Sequence, residues 1–304
     1  IGRGSPTVVM DAGTGGGTRD WREVQSAIAR FTTACTYDRA GYGFSDAPTR
    51  ASDATNAADD LHRLVHRAKL ALPLVLVGHS NGGFYAVRYA QLYPQDVGGM
   101  VLVDPGFAGQ MDFERYGLAP AKTEELRQAN ASLVAFAAHC LALSQSGVLA
   151  EPLAQSTSPC LDNPPHADTR LHRVLNTLEM KPGFFEAYLS EFQSTFVKGT
   201  NGTVNDREVP LQQDALGDLP LIVLTASEHP APVKDFTPAD QKKYFDFWWQ
   251  GHNRVAALSS EGKNILVAPS GHFIQREHPR VVVHVVNQVV EAVRHGKDRN
   301  QDTR

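Results

Sequence analysis

Val75-Leu-Val-Gly-His-Ser-Asn-Gly-Gly83 is the stretch from which the rest of the chain is read. A β-branched and leucine-rich run ends in Gly78-His-Ser80-Asn-Gly82, and a helical pattern from Phe84 to Tyr93 begins at once. The pattern predicts strand, sharp turn and helix, with a serine at the apex and glycines two residues to either side. A residue on such a turn takes a strained backbone conformation that small neighbours must tolerate. Its hydroxyl then projects clear of the sheet. The helix that follows turns its N-terminal amides and positive dipole end toward any negative charge developing there.

Upstream, Thr7 to Asp11 is a compact apolar run that ends in Ala12-Gly-Thr14-Gly-Gly-Gly17, a strand followed by a glycine-rich loop. The loop lacks the Lys-Ser/Thr of a P-loop and the spacing of a dinucleotide fingerprint, which argues against nucleotide binding. Asp20 is expected to cap a helix from Trp21 to about Phe31. Ala34 to Tyr37 reads as the next strand, before the polar loop Asp38 to Ser45. From about Asn56 to Leu70, Leu61, Leu64, Val65 and Ala68 fall at helical spacing and predict one buried stripe.

Downstream, Pro94 stops the helix after the turn, and Met100 to Val103 is a strand ending in Asp104-Pro105. Between Gly106 and about Leu219 strands and helices no longer alternate; helical patterns over Thr123–Leu143 and Pro182–Phe196 are separated by Pro/Ser-rich loops. The rhythm then resumes with a strand at Pro220–Thr225, a helix within Pro238–Ser259, a core strand at Asn264–Ala268, the loop Gly271-His272-Phe273 and a helix over His278–Arg294. The tail from His295 is polar and is expected to fray. These elements predict an α/β body with a mostly parallel central sheet and helices on both faces. Residues 1–105 and 219–294 form that core, and 106–218 form a largely helical lid inserted between two core strands. Ligands of such sheets bind at the carboxyl ends of the strands, where the glycine loop, Ser80, Asp104 and His272 all fall.

A serine hydroxyl is a poor nucleophile until a base takes its proton and a third group orients that base. Of twelve histidines, only His272 follows a late strand in a short loop able to swing back over the sheet edge, so it is the candidate base. His79 adjoins Ser80, points elsewhere and is expected to support the turn. The aromatics Phe113, Tyr116, Phe136, Phe184, Phe185, Tyr188, Phe192 and Phe196 recur partly at helical spacing; most are expected in the lid's own core and a minority along a pocket.

The succession Val8-Val-Met-Asp-Ala-Gly-Thr-Gly-Gly16, Tyr37-Asp-Arg-Ala-Gly-Tyr-Gly-Phe-Ser45, Gly78-His-Ser-Asn-Gly-Gly83, Leu102-Val-Asp-Pro105 and Ser270-Gly-His-Phe273 resembles the α/β-hydrolase superfamily over roughly residues 7–105 and 219–294. The resemblance implies Ser80 as nucleophile and His272 as base. It implies oxyanion donors at the amides of Asn81 and, after the first strand, of Thr14. It also implies a mainly structural role for Asp38, Arg39 and Tyr42. The usual hairpin before the first strand is missing, which, with a start at Ile1, suggests a processed or trimmed N-terminus. The acid departs from the commonest pattern: the usual aspartate position after Pro220–Thr225 holds His229, with Glu228 one residue early. Some relatives carry the acid after the strand that follows the serine helix, here Asp104. Asp104 is the preferred acid and Glu228 the alternative.

The expected activity is cofactor-independent hydrolysis of a small-molecule carboxylic ester or related acyl bond through an acyl-enzyme. A non-catalytic ligand-binding or receptor protein of the same fold, or an acyltransferase, is the alternative. A serine at position 80 argues against dehalogenase or epoxide hydrolase chemistry, which in this fold uses a carboxylate nucleophile. With 304 residues, 42% hydrophobic and 20% charged, the composition is that of an ordinary globular protein, and a net charge of −4 gives no reason to expect a nucleic-acid partner. No apolar run is long enough for a membrane span. No Cys-x-x-Cys or His-rich spacing suggests a metal, so neither metal nor cofactor is expected. Cys35 is expected to be a buried free thiol, and Cys140 and Cys160 to form a disulfide. That bridge, with a processed N-terminus, favours an extracellular or periplasmic location over a cytoplasmic one. The sequons at Asn130-Ala-Ser and Asn201-Gly-Thr are short enough to be chance matches.

Overall fold

The computed structural model describes residues 1–151, 157–161, 169–229, 233 and 235–301. Six strands, β1 (Thr7–Asp11), β2 (Ala34–Thr36), β3 (Leu74–His79), β4 (Val97–Val103), β5 (Leu221–Ala226) and β6 (Lys263–Val267), form one sheet in the order β2-β1-β3-β4-β5-β6. Every neighbouring pair is parallel. In register, Met10 lies beside Val77, Val77 beside Val101 and Val101 beside Ile222. The chain winds outward from β1 to β2, then returns to β3 on the other side of β1. The crevice between the β1 and β3 ends is therefore the switch point of the sheet, the usual place for a ligand.

Successive residues of a strand face opposite sides, so the apolar strands build two cores. Val9, Leu74, Leu76, Met100, Leu102 and Val223 pack with α2 (Ala54–Arg67), α3 (Asn81–Leu92) and α8 (Pro238–Ala256). Val8, Met10, Val75, Val77, Val101 and Leu224 face the other side, covered by α1 (Arg22–Ile28) and α10 (Pro279–Gln301). The contacts of α10 are the valines at 282, 285, 286, 289, 290 and 293, a spacing that keeps one face on the sheet.

Between β4 and β5 the chain leaves the sheet and forms α4 (Pro120–Gln145), α5 (Thr169–Glu179), α6 (Pro182–Phe196) and α7 (Val204–Glu208). Phe184, Phe185 and Ala187 of α6 share a third apolar cluster with Cys140 of α4 and with Tyr42 from the sheet side. Cys140 is bonded to Cys160 across a separation of 20 residues, with their Cα atoms 5.6 Å apart. A cross-link closing a loop of that size is worth about 3 kcal/mol. A short helix, α9 (Ile274–Glu277), precedes α10.

Several local expectations need correction. Asp20 does not cap a helix beginning at Trp21; it lies within a 3-10 turn, Thr18–Trp21, and accepts a hydrogen bond from the Gly17 amide, so α1 starts one residue later, at Arg22. The buried stripe of α2 is Ala54, Ala58, Leu61 and Val65, whereas Leu64 and Ala68 are exposed. Asp53 caps α2 through the Asn56 amide, which starts the helix at Ala54, earlier than expected. β6 is an edge strand with Ile265 and Leu266 partly exposed, not a core strand. Cys35 is free but only half-buried. The polar tail from His295 continues α10 as helix to Gln301, and residues 302–304 lie outside the described residues.

Candidate active site

Ser80 sits between the last residue of β3 and the first of α3 with φ 53° and ψ −121°. A non-glycine residue at positive φ costs on the order of 1–3 kcal/mol and persists only where its surroundings fix it. Here the Ser80 amide donates to Val103 O, and the Ser80 carbonyl accepts from the Gly83 and Gly106 amides. The flanking glycines are required by closeness of backbone. A Cβ on Gly78 would lie 2.4 Å from Gly82 O, and one on Gly82 would lie 2.5 Å from Asp11 O.

Asp104 follows β4, also at positive φ (44°), and is fully buried. Its amide donates to Leu224 O, and its Oδ1 accepts from the Ala226 amide at 2.9 Å, so the end of β5 fixes the carboxylate plane. Its Oδ2 lies 2.6 Å from Nδ1 of His272. Burial pushes the Asp104 carboxyl up, but His229 and His272 at its oxygens outweigh burial and hold it well below the ordinary carboxylate range. An ionised carboxylate only accepts, so His272 donates from Nδ1 and keeps its Nε2 lone pair free. The carboxylate that the structure brings to His272 is Asp104. Glu228 is exposed, bonds through its amide to Ser270 O, and does not line the cavity.

His229, where the aspartate of the commoner pattern would stand, stacks on Trp248 with ring centroids 4.8 Å apart. Its Nε2 lies 3.2 Å from Asp104 Oδ1, close but poorly aligned for a hydrogen bond. The sequence singled out this position only as a missing aspartate. His252, on α8, had no sequence signal; it is fully buried and donates from Nε2 to Pro105 O at 2.9 Å. Burial pushes its pKa down to about 4. The unfolded chain therefore binds a proton between about pH 6.5 and 4 that the folded state refuses, so stability falls as pH falls through that window. The loss from this group is about 3 kcal/mol. Urea midpoints should fall steadily from pH 7 to pH 4.5, and His252→Gln should flatten the slope. Asp104 departs in the same direction from its own reference, but that reference lies lower, so its contribution is lost only below about pH 4, the unfolded value.

His79 supports the His272 loop as well as the turn. It is buried, and its Nε2 donates to the His272 carbonyl at 3.0 Å with the two rings 4.6 Å apart. Burial, and then repulsion from His272, push its pKa well down, so it is neutral. On the other side of the crevice, the Asn81 side chain donates to Thr14 Oγ1 at 2.6 Å and to Thr195 Oγ1 of α6 at 2.9 Å, joining the β1 loop, the serine helix and the insertion. The Asn81 and Thr14 amides have no hydrogen-bond partner among the described residues, as an anion-binding pair requires. Arg39 braces the same loop. It donates to Asp11 Oδ1, to Ala12 O (2.6 Å), to Gly13 O (2.8 Å) and to Glu191 of α6 (2.9 Å).

Ser80, Thr14, Asn81 and His272 line one cavity of about 720 Å³. All eight aromatics noted in the sequence border it, along with Tyr244 and Trp248, which corrects the expectation that only a minority would. Ser80 Oγ makes no hydrogen bond among the described residues; such contacts are often formed only once substrate binds. The arrangement can activate a hydroxyl by an oriented imidazole and hold an oxyanion beside two amides.

A family sequence model described as alpha/beta hydrolase fold matches residues 6–139. Together with the order of the parallel sheet, this shows that the chain has the α/β-hydrolase fold. Among curated relatives, a (lyso)-N-acylphosphatidylethanolamine lipase of Mus musculus is 36% identical over 101 residues, 32% of this chain and 30% of that protein. The 1-acylglycerol-3-phosphate O-acyltransferase ABHD5 of Homo sapiens is 31% identical over 116 residues, 37% of this chain and 33% of that protein. The matched stretches thus span about a third of these relatives' length. Among solved structures, the haloalkane dehalogenase DbeA from Bradyrhizobium elkani superposes with a TM-score of 0.64 at 16% identity, covering 97% of this chain and 93% of that one; at that identity the likeness is one of fold.

Proposed function

We propose that the protein is a cofactor-independent serine hydrolase of carboxylic esters with a medium-length apolar acyl group. The observation that carries this reading is the 2.6 Å His272–Asp104 hydrogen bond, made at the wall of the cavity that Ser80 also lines. Ser80 Oγ attacks the ester carbonyl carbon while His272 Nε2 takes its proton. The oxyanion is held by the Asn81 and Thr14 amides. Collapse of the tetrahedral species expels the alcohol, protonated by His272, and leaves Ser80 acylated. Water, deprotonated in turn by His272, then attacks the acyl carbonyl and frees the carboxylic acid and Ser80.

The insertion between β4 and β5 acts as the lid that supplies the acyl pocket. Its aromatic walls favour an alkyl or aryl acyl group over acetate, and a cavity of about 720 Å³ is of ordinary size for such a ligand. At about 0.8 kcal/mol per buried methylene, lengthening the acyl group from acetate to butyrate should raise kcat/KM for p-nitrophenyl esters by about tenfold. Ser80→Ala should abolish turnover across the series. Equal rates for acetate and octanoate would reject the acyl pocket, and residual turnover by Ser80→Ala would reject the mechanism.

The similarity to a protein named as an acyltransferase supports a second outcome from the same acyl-enzyme, transfer to an alcohol acceptor. Butyl ester among the products when butanol is present would identify it. The Cys140–Cys160 bridge supports residence in an oxidising compartment. Among the described residues no helix is long and apolar enough to cross a membrane.

A further inference from the structure

On the face of the molecule away from the cavity, two histidines and a buried carboxylate converge. His62 and His66 lie four residues apart on α2, hence on one side of it. Asp96 comes from the turn Pro94–Asp96, between α3 and β4, and is 3% exposed. Its Oδ2 is 3.1 Å from His62 Nδ1 and 3.3 Å from His66 Nε2, and the three atoms lie within 4.8 Å of one another. None of the three residues lines the cavity.

We propose that His62, His66 and Asp96 bind a divalent transition-metal ion of the zinc class, which clamps α2 to the turn that leads into β4. The inference does not rest on the hydrolase reading.

Three observations support it. First, the two nitrogen-to-oxygen separations match a tetrahedral edge, about 3.3 Å for metal–ligand distances near 2.0–2.1 Å. A small closure of the half-exposed His66 toward His62 completes the third edge, and its exposed side leaves room for a water as fourth ligand. Secondly, the ligands are already oriented by neighbours. Tyr89 donates its hydroxyl to Asp96 Oδ2 at 2.9 Å. The His62 ring stacks on Tyr93 at 3.8 Å, and Tyr93 is itself held by Asp59. Such second-layer support is typical of metal ligands. Thirdly, without an ion three donors crowd a single carboxylate oxygen that has two lone pairs. A cation meeting one lone pair, with Tyr89 on the other, resolves that crowding.

Two imidazoles and one carboxylate select zinc, copper or nickel over magnesium or calcium. The sequence reading counted no metal-ligand spacing. The His-x-x-x-His of α2 is one, and its third ligand, from a turn remote in sequence, was not legible.

The test is isothermal titration of the full chain with ZnCl2, after EDTA treatment and dialysis and with no affinity tag, alongside thermal melting. The expected result is one zinc bound per chain, a rise in Tm with zinc, and no response to MgCl2. His66→Gln, at a half-exposed position, should melt like the wild type in EDTA yet bind zinc at least about tenfold more weakly, since even outer partners carry that factor. Asp96→Asn should lose binding as well. No saturable uptake up to millimolar zinc by wild type, or affinity unchanged in His66→Gln, would overturn the proposal.

Discussion

Asp104→Asn is expected to lower kcat by about 10⁴-fold, the scale on which the wrong histidine tautomer disables a serine–histidine–aspartate triad. The reason lies in how Asp104 is held. The Ala226 amide donates to Oδ1, so an asparagine here keeps its oxygen toward Ala226 and presents its NH2 group to His272. That group can only donate, so His272 must accept at Nδ1 and carry its proton on Nε2, where it cannot take the proton of Ser80. Binding should change little, so KM should stay within a few-fold. Glu228→Gln should alter kcat by less than about twofold, as at an ordinary exposed position. Full activity in Asp104→Asn with collapse in Glu228→Gln would reverse the assignment of the acid.

Arg39→Ala is expected to cost about 3–5 kcal/mol of stability, the usual result of removing one member of a buried ionic cluster. Arg39 lies between Asp11 and Glu191, both buried, and also satisfies the carbonyls of Ala12 and Gly13. Burial already pushes the Asp11 and Glu191 carboxyls up, and Arg39 is the main force opposing it. Without Arg39 both rise further, so the folded variant holds protons that the unfolded chain has released. Stability then falls as pH rises through that range. Urea denaturation should accordingly find the variant closer to wild type at pH 5 than at pH 8. A loss under about 1 kcal/mol, the size expected of a surface ion pair, would contradict the buried-cluster account. Activity should fall as well, because the Gly13–Thr14 loop loses its brace.

Ser80, the glycine loop and the parallel sheet were legible because each is encoded by a few adjacent residues: apolar runs for strands, glycines where backbones touch. The pairing of His272 with Asp104, which spans 168 residues, was reached only through the family resemblance, since spacing alone left Glu228 equally available. What surrounds Asp104 was not legible. His229 looked like a departure from pattern, yet the fold turns it onto Trp248 and toward the same carboxylate. Glu191, 152 residues from Arg39, carried no signal in the sequence and is a buried partner of that arginine. The aromatics of the segment between β4 and β5 illustrate a further limit. Helical spacing marks a side chain as shielded from water, but a cavity wall and a packed core satisfy that pattern equally. The α2 stripe went wrong for a local reason: alanines 54 and 58 carry little hydrophobic signal, while Leu64 carries much and is exposed.

The central claim is that Ser80 is a nucleophile activated by His272, and covalent labelling tests it without knowledge of the substrate. A fluorophosphonate probe, followed by intact-mass spectrometry, should give a single adduct on the folded wild type, mapped to Ser80. The adduct should be absent in Ser80→Ala and form far more slowly in His272→Ala. Folded wild type that stays unlabelled, or Ser80→Ala that labels as fast as wild type, would contradict the account.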